Sequence, residues 1–214
     1  MRTLKDAQGD LKAFDAIHWP HNVGVESIRH TYLHLSHALF RFMGNMKEPM
    51  NDQSWKEVVD YWNREVTGRF MEHGIRLANN CFVDLEEKIS IIFEKPTKLE
   101  CHPALGESSW FDGVSYQMRM DGLNREKHFR NLMLNSLGSL DHLSHICERL
   151  DHGEPLTYEK KIHIEETAGG LVVWTMLFHL LDHIECSEEE SIDHIVRIFD
   201  RRLAELSVQF EYSP

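Results

Sequence analysis

"RHTYLHLSHALFRF", residues 29–42, sets His30, His34, His37 and Arg41 at steps of four, three and four. That is the period of an α-helix, in which residues three and four apart share a face. Val25, Ile28, Tyr32, Leu35, Leu39 and Phe42 repeat with the same period beside them, which predicts one amphipathic helix over 25–44, ended near Gly44. The letters HLSH return at 142–145 in "GSLDHLSHICERL" (138–150), again with an arginine, Arg149, seven places after the first histidine. Two such helices either build one metal site twice or descend from a common ancestor. The rest of the chain has to separate these.

Helical spacing continues almost everywhere. A second helix is predicted from Ser54, a good N-cap residue, to Asn80. "VDLEEKISIIFE" (83–94) supplies a third, with Asp84 as cap and Glu86 and Glu87 in the first turn, where the helix dipole favours negative charge. Residues 95–124 lose the period and hold prolines and glycines, as a linker does, while Trp110, Phe111 and Tyr116 imply that it packs on the body. Then the pattern resumes: a long helix over 125–150 with Phe129, Leu132, Met133, Leu137, Leu140, Leu143, Ile146 and Leu150 on its apolar side, a turn in "DHGEPLTYEK", a helix from Lys161 to Ile184, and a last helix capped by Ser187. The fold class is all-α.

Matching blocks recur in the same order. "KEPM" (47–50) answers "GEPL" (153–156), "REVTG" (64–68) answers "EETAG" (165–169), and "VDLEEKI" (83–89) answers "CSEEESI" (186–192). Together they imply an internal duplication: two related helical hairpins, residues 1–94 and 125–214, joined by 95–124. Paired about a pseudo-twofold axis, they are expected to form one compact unit with a four-helix-bundle core and flanking helices.

Composition narrows the function. The net charge of −12 disfavours nucleic-acid binding, which needs a basic face for phosphate. The longest apolar stretch, "GGLVVWTMLFHLL" (169–181), falls short of the roughly 18 residues a membrane span requires. The polar start "MRTLKDAQGDLKAFD" has no secretory pattern, so a cytoplasmic protein with no membrane partner is expected. Cys81, Cys101, Cys147 and Cys186 form no C-x-x-C pair and read as reduced thiols.

A hairpin of long helices followed by a charged step into a further helix, carried by "EVTGRFMEHGIRLANNCFVDLEEKI" (65–89) and "EETAGGLVVWTMLFHLLDHIECSEEESI" (165–192), resembles the MazG-like all-α nucleoside triphosphate pyrophosphohydrolase superfamily. The resemblance implies a nucleotide ligand and Mg²⁺ or Mn²⁺ held by Glu-Glu-x-x-Glu on the first helix and Glu-x-x-Asp on the second. At those places this chain offers His34 and His37 in one half and Ser136 and Ser139, or His142 and His145, in the other, with Glu65, Glu165 and Glu166 on the second helices. The expected aspartate gives way to Gly68 or Arg69 and to Gly169 or Gly170. Mg²⁺ prefers oxygen ligands, so the implied protein is a nucleotide pyrophosphohydrolase with altered ligands that acts on or binds a nucleotide, its Mg²⁺ affinity mostly removed and its hydrolysis in question.

Two other functions stay open. One is a catalytically inactive nucleotide-binding or protein-interaction module, a monomer or homodimer, with Arg41 and Arg149 touching phosphate or pairing with acids across the bundle. The other is a His-rich metalloprotein holding Zn or Fe, in which His30/His34 and His179/His183 each place two imidazoles on one helical face and Glu165 or Glu166 completes the set. Against it stands the plain reading of such histidines as helix–helix boundary residues. Gly68 and Gly169–Gly170 read as sites where helices cross closely.

Overall fold

The computed structural model describes residues 2–21, 24–45, 52–94, 125–182 and 186–211, and every regular element among them is helical. Helix α1 is Leu4–His18 and α2 is Gly24–Asn45. Helix α3 runs continuously through Asp52–Tyr61, a π-helical turn Trp62–Thr67, and Gly68–Cys81. Then follow α4 (Leu85–Glu94), α5 (Arg125–Asp151), α6 (Tyr158–Asp182) and α7 (Glu188–Glu211).

The ends follow from local chemistry. Asp84 Oδ1 accepts from the amides of Glu86 (3.0 Å) and Glu87 (3.2 Å), capping α4. Ser187 Oγ accepts from the Glu190 amide (3.2 Å) while Glu190 accepts from the Ser187 amide (2.8 Å), a closed capping box for α7. Both caps are the ones predicted, at matched positions of the third pair of blocks. Thr157, inside the predicted turn, starts α6 by accepting from the Lys160 amide. Phe82 ends α3 in the left-handed region at φ 59°.

Helices α2, α3, α6 and α5 pack in that cyclic order, each beside the next. One aromatic from each meets at one end: Trp62 lies 3.8 Å from Phe178 between ring centroids, Phe42 5.8 Å from Phe129, and Phe129 5.5 Å from Phe178. These side chains come from the end of α2, the start of α3, the start of α5 and the end of α6, so neighbouring helices run antiparallel. At the other end Arg29 of α2 pairs with Asp151 of α5, and Asn80 of α3 bonds Ser27 of α2. Gly74 allows α3 to close on α6, since a Cβ there would lie 3.3 Å from the Ala168 carbonyl oxygen. Helix α4 packs on α6, and α7 packs on α3.

The predicted stripes are the buried ones: Ile28, Leu35, Leu39 and Phe42 on α2, and Phe129, Leu132, Met133, Leu140, Leu143 and Ile146 on α5. The N-terminal helix α1, to which the sequence reading gave no structure, is the main addition. It starts with a Thr3–Asp6 capping box and buries Leu4, Ala7, Leu11 and Phe14. It packs on α3, α4 and α7, where Gln8 bonds the Val83 carbonyl (2.9 Å) and the Leu85 amide (2.9 Å). The expected linker 95–124, the 47–50 block and His183 lie outside the described residues. No helix among the described residues is long and apolar enough to cross a membrane.

Candidate functional site

The inward face of α3 carries charge. Glu72, His73 and Arg76 are 2%, 1% and 1% exposed. An ionised group taken from water costs several kcal/mol unless it is paired and hydrogen-bonded. Here the pairing is dense. Arg76 donates to Glu72 Oε1 (2.7 Å) and to both oxygens of Asp15 (2.8 and 2.9 Å), while Arg202 of α7 donates to Glu72 Oε2 (2.9 Å). The Arg76 guanidinium also lies 4.7 Å from the Trp19 ring centroid. One network thus joins α1, α3 and α7.

Burial works against the Glu72 carboxylate, yet neighbouring positive charge outweighs it and holds its pKa below the ordinary carboxylate value. At neutral pH this is the work of Arg76 and Arg202, because complete burial pushes His73 down to about 3 and leaves it uncharged. Burial raises the cost of charging Arg76 too, but Asp15 and Glu72 more than compensate and its pKa is raised. His30 and His34 are both lowered, first by partial desolvation, and so stay neutral.

The network borders two openings. A cleft of about 220 Å³ is lined by Trp19, His30, His34, Glu72, Arg202, Leu206, Gln209 and Phe210. The His34 ring stacks over His73 at 5.2 Å and lies 4.3 Å from His30; Trp19 lies 5.7 Å from His30 and 5.0 Å, edge-on, from Phe210. Arg202 and Gln209 also line a groove of about 360 Å³ between α3 and α7, together with Arg64, Glu65, Gly68, Arg69, Arg201 and Glu205.

Local backbone explains the groove. The π-helical turn holding Arg64 and Glu65 shifts the register of α3 just before the crossing, a feature often found at functional sites. At Gly68 an added Cβ would lie 3.2 Å from Arg202 Cβ, so glycine lets α7 approach closely here, as expected from sequence. Arg64 reaches Glu65 at 3.5 Å and Arg202 reaches Glu205 at 3.6 Å. Among the described residues no carboxylate lies within ion-pair distance of Arg69 or Arg201. With Arg202 paired to Glu72 and Glu205 and Arg64 to Glu65, Arg69 and Arg201 leave the groove positive on a chain of net charge −12.

Of the residues singled out by sequence, His34 lines the cleft and Glu65 the groove. His37 is exposed on α2. Arg41 is exposed near the end of α2, away from both openings. Arg149 donates to His145 Nε2 (3.1 Å) and lies 3.8 Å from Glu154, a local exposed pair rather than one across the bundle. His142 is exposed, 6.1 Å from His163, and Glu166 is 3.7 Å from His163. Glu165 sits near Cys81, whose thiol is pushed up to about 11 mainly by burial. His179 stacks on His194 at 3.7 Å, with Cys186 Sγ 3.7 Å from its Nε2. Among the described residues no three or more His, Cys, Asp or Glu side chains are grouped so as to hold a metal ion.

Glu72, His73, Arg76, Asp15, Trp19 and Arg202 were not anticipated. The i, i+4 pair Glu72/Arg76 was the available signal, but it reads equally as a solvated surface pair. No family model, no curated protein and no solved structure matches the chain.

Proposed function

We propose that this chain binds a small phosphorylated ligand of the nucleotide class in the groove between α3 and α7, and that it is a MazG-like all-α protein without the usual Mg²⁺-dependent hydrolysis. The observation that carries the reading is the convergence of Arg64, Arg69, Arg201 and Arg202 on one groove of an acidic chain. Planar guanidinium forks match phosphate oxygens, and like charges are gathered at such density where an anion offsets them. In this reading Arg64, Arg69 and Arg201 take the place that the sequence gave to Arg41 and Arg149.

The Mg²⁺ or Mn²⁺ implied by the resemblance does not suit these residues. Glu65 stands among arginines, and Glu72, the buried carboxylate nearest the groove, already accepts from Arg76 and Arg202. A dication there would face repulsion and too few oxygen ligands. The duplicated ancestry has support in the matched caps Asp84 and Ser187 and in the reciprocal packing of α4 on α6 and α7 on α3.

Thermal-shift measurements with pyrophosphate and nucleotides, in EDTA and in Mg²⁺ or Mn²⁺, test the reading on the wild type and on an Arg69→Ala/Arg201→Ala variant. Stabilisation without a divalent ion, lost in the variant, is expected. No shift with any phosphate overturns it, as do binding that requires Mg²⁺ or Mn²⁺ and nucleotide turnover. Stoichiometric Zn or Fe in the purified protein would move the assignment to the histidines.

A further inference from the structure

We propose that the cleft between Trp19, His30, His34 and Phe210 holds the planar ring of the ligand whose phosphate lies in the arginine groove. The compound recognised is then a ring-bearing phosphomonoester, taken up without a divalent cation. This rests on the phosphate reading above and adds where the ring of that ligand sits.

The two openings are halves of one surface. Arg202 and Gln209 line both, and Arg202 stands at the junction, bonded through Nε to Glu72. Along α7, Arg201 and Glu205 face the groove while Leu206 and Phe210 face the cleft. At about 220 Å³ the cleft by itself is smaller than the roughly 300–1,000 Å³ of common small-molecule sites; joined to the groove it falls within that range.

The chemistry of the two halves differs as the two ends of such a ligand do. The groove offers cations. The cleft offers four flat side chains and the Leu206 side chain, which suit the face of an aromatic ring. Imidazoles kept neutral can both donate and accept a hydrogen bond, as ring nitrogens and exocyclic groups require. Beneath them the Glu72–Arg76–Asp15 network holds His73 and Trp19 in place, since Arg76 touches both: His73 Nδ1 lies 3.3 Å from its Nη1. Its charges are satisfied internally, which leaves Arg69 and Arg201, with Arg64 beside Glu65, to face the phosphate.

Calorimetric titration of the full chain in EDTA tests this. The probes are purine and pyrimidine nucleoside 5′-monophosphates, pyridoxal 5′-phosphate, ribose 5-phosphate and inorganic phosphate. At least one ring-bearing phosphate should bind more tightly than ribose 5-phosphate by roughly five- to a hundredfold, the range that base stacking on aromatic side chains supplies. Which ring binds best identifies the source. His34→Ala, an exposed change that leaves the groove intact, should shrink that advantage and leave ribose 5-phosphate unaffected. If ribose 5-phosphate binds as tightly as every ring compound, or if His34→Ala changes nothing, the ring site is overturned while the phosphate site stands. If no phosphate binds, both readings fail.

Discussion

HLSH occurs twice, and its two copies have unlike surroundings. His34 stacks on buried His73 at the lip of a cleft, above a network of two carboxylates and two guanidiniums. His142 is exposed and, among the described residues, its ring meets another surface histidine, His163, at 6.1 Å. The cause lies on the second helix of each half. With Gly68 set against Gly169, the positions of Glu72, His73 and Arg76 on α3 match Val173, Trp174 and Leu177 on α6. On the proposed duplication, α3 therefore carries charge where α6 carries an apolar core. The difference teaches that the motif marks a helix, whereas the chemistry is set by what the facing helix presents.

Substitutions in the network should break the contrast most strongly. Arg76→Leu, which imports the residue found at the matched place, strands Asp15 and leaves Glu72 with Arg202 alone. It should cost about 3–5 kcal/mol by denaturant unfolding, because removing one partner leaves a buried charge uncompensated. A loss below ~1 kcal/mol would mean that the network is solvated rather than buried.

Acid should act in the same direction. His73 is held near 3 against an ordinary 6.5, so between these values the unfolded chain binds the extra proton and stability falls as pH is lowered. Glu72, held below its ordinary 4.5 by Arg76 and Arg202, adds to the loss below pH 4.5. Equilibrium unfolding across pH 7 to 4 should show a slope approaching ~1.4 kcal/mol per pH unit from His73 alone. His73→Leu should flatten the upper part of that slope, and an unchanged profile would place the titrating group elsewhere.

A smaller effect is expected where the second half is polar. Trp174 Nε1 donates to Ser139 Oγ at 3.3 Å, so Trp174→Phe should cost about 1 kcal/mol with no change in ligand binding. The smallest effect is the most discriminating. His34→Ala and His142→Ala should each alter stability by less than about 0.5 kcal/mol, since both rings are exposed, and only the first should weaken a ligand. Equal loss of binding in both would restore the motif itself as the site.

Periodicity made the helices legible. The stripes of α2 and α5, and the caps Asp84 and Ser187, follow from local rules that tertiary contacts did not override. Helix α1 is legible in Leu4, Ala7, Leu11 and Phe14, which recur at helical spacing, although the polar residues between them mask the stripe. The site was largely hidden. Asp15, Glu72 and Arg202 are far apart in the chain, and nothing local distinguishes a carboxylate that meets two arginines in the core from one that faces water. Arg69 was weighed only as a departure from a metal motif, and its convergence with Arg201 depends on the close crossing at Gly68.

Amide chemical-shift mapping of the ¹⁵N-labelled chain, titrated with a nucleoside monophosphate in EDTA, tests most directly the claim that one half carries the ligand site. Shifts should gather on residues 64–73 and 198–210, reach His30 and His34, and leave 142–149 and 163–166 unmoved. Shifts centred on His142, His145 and Arg149, or no shifts at a ligand concentration that saturates pyrophosphate binding, would contradict the account.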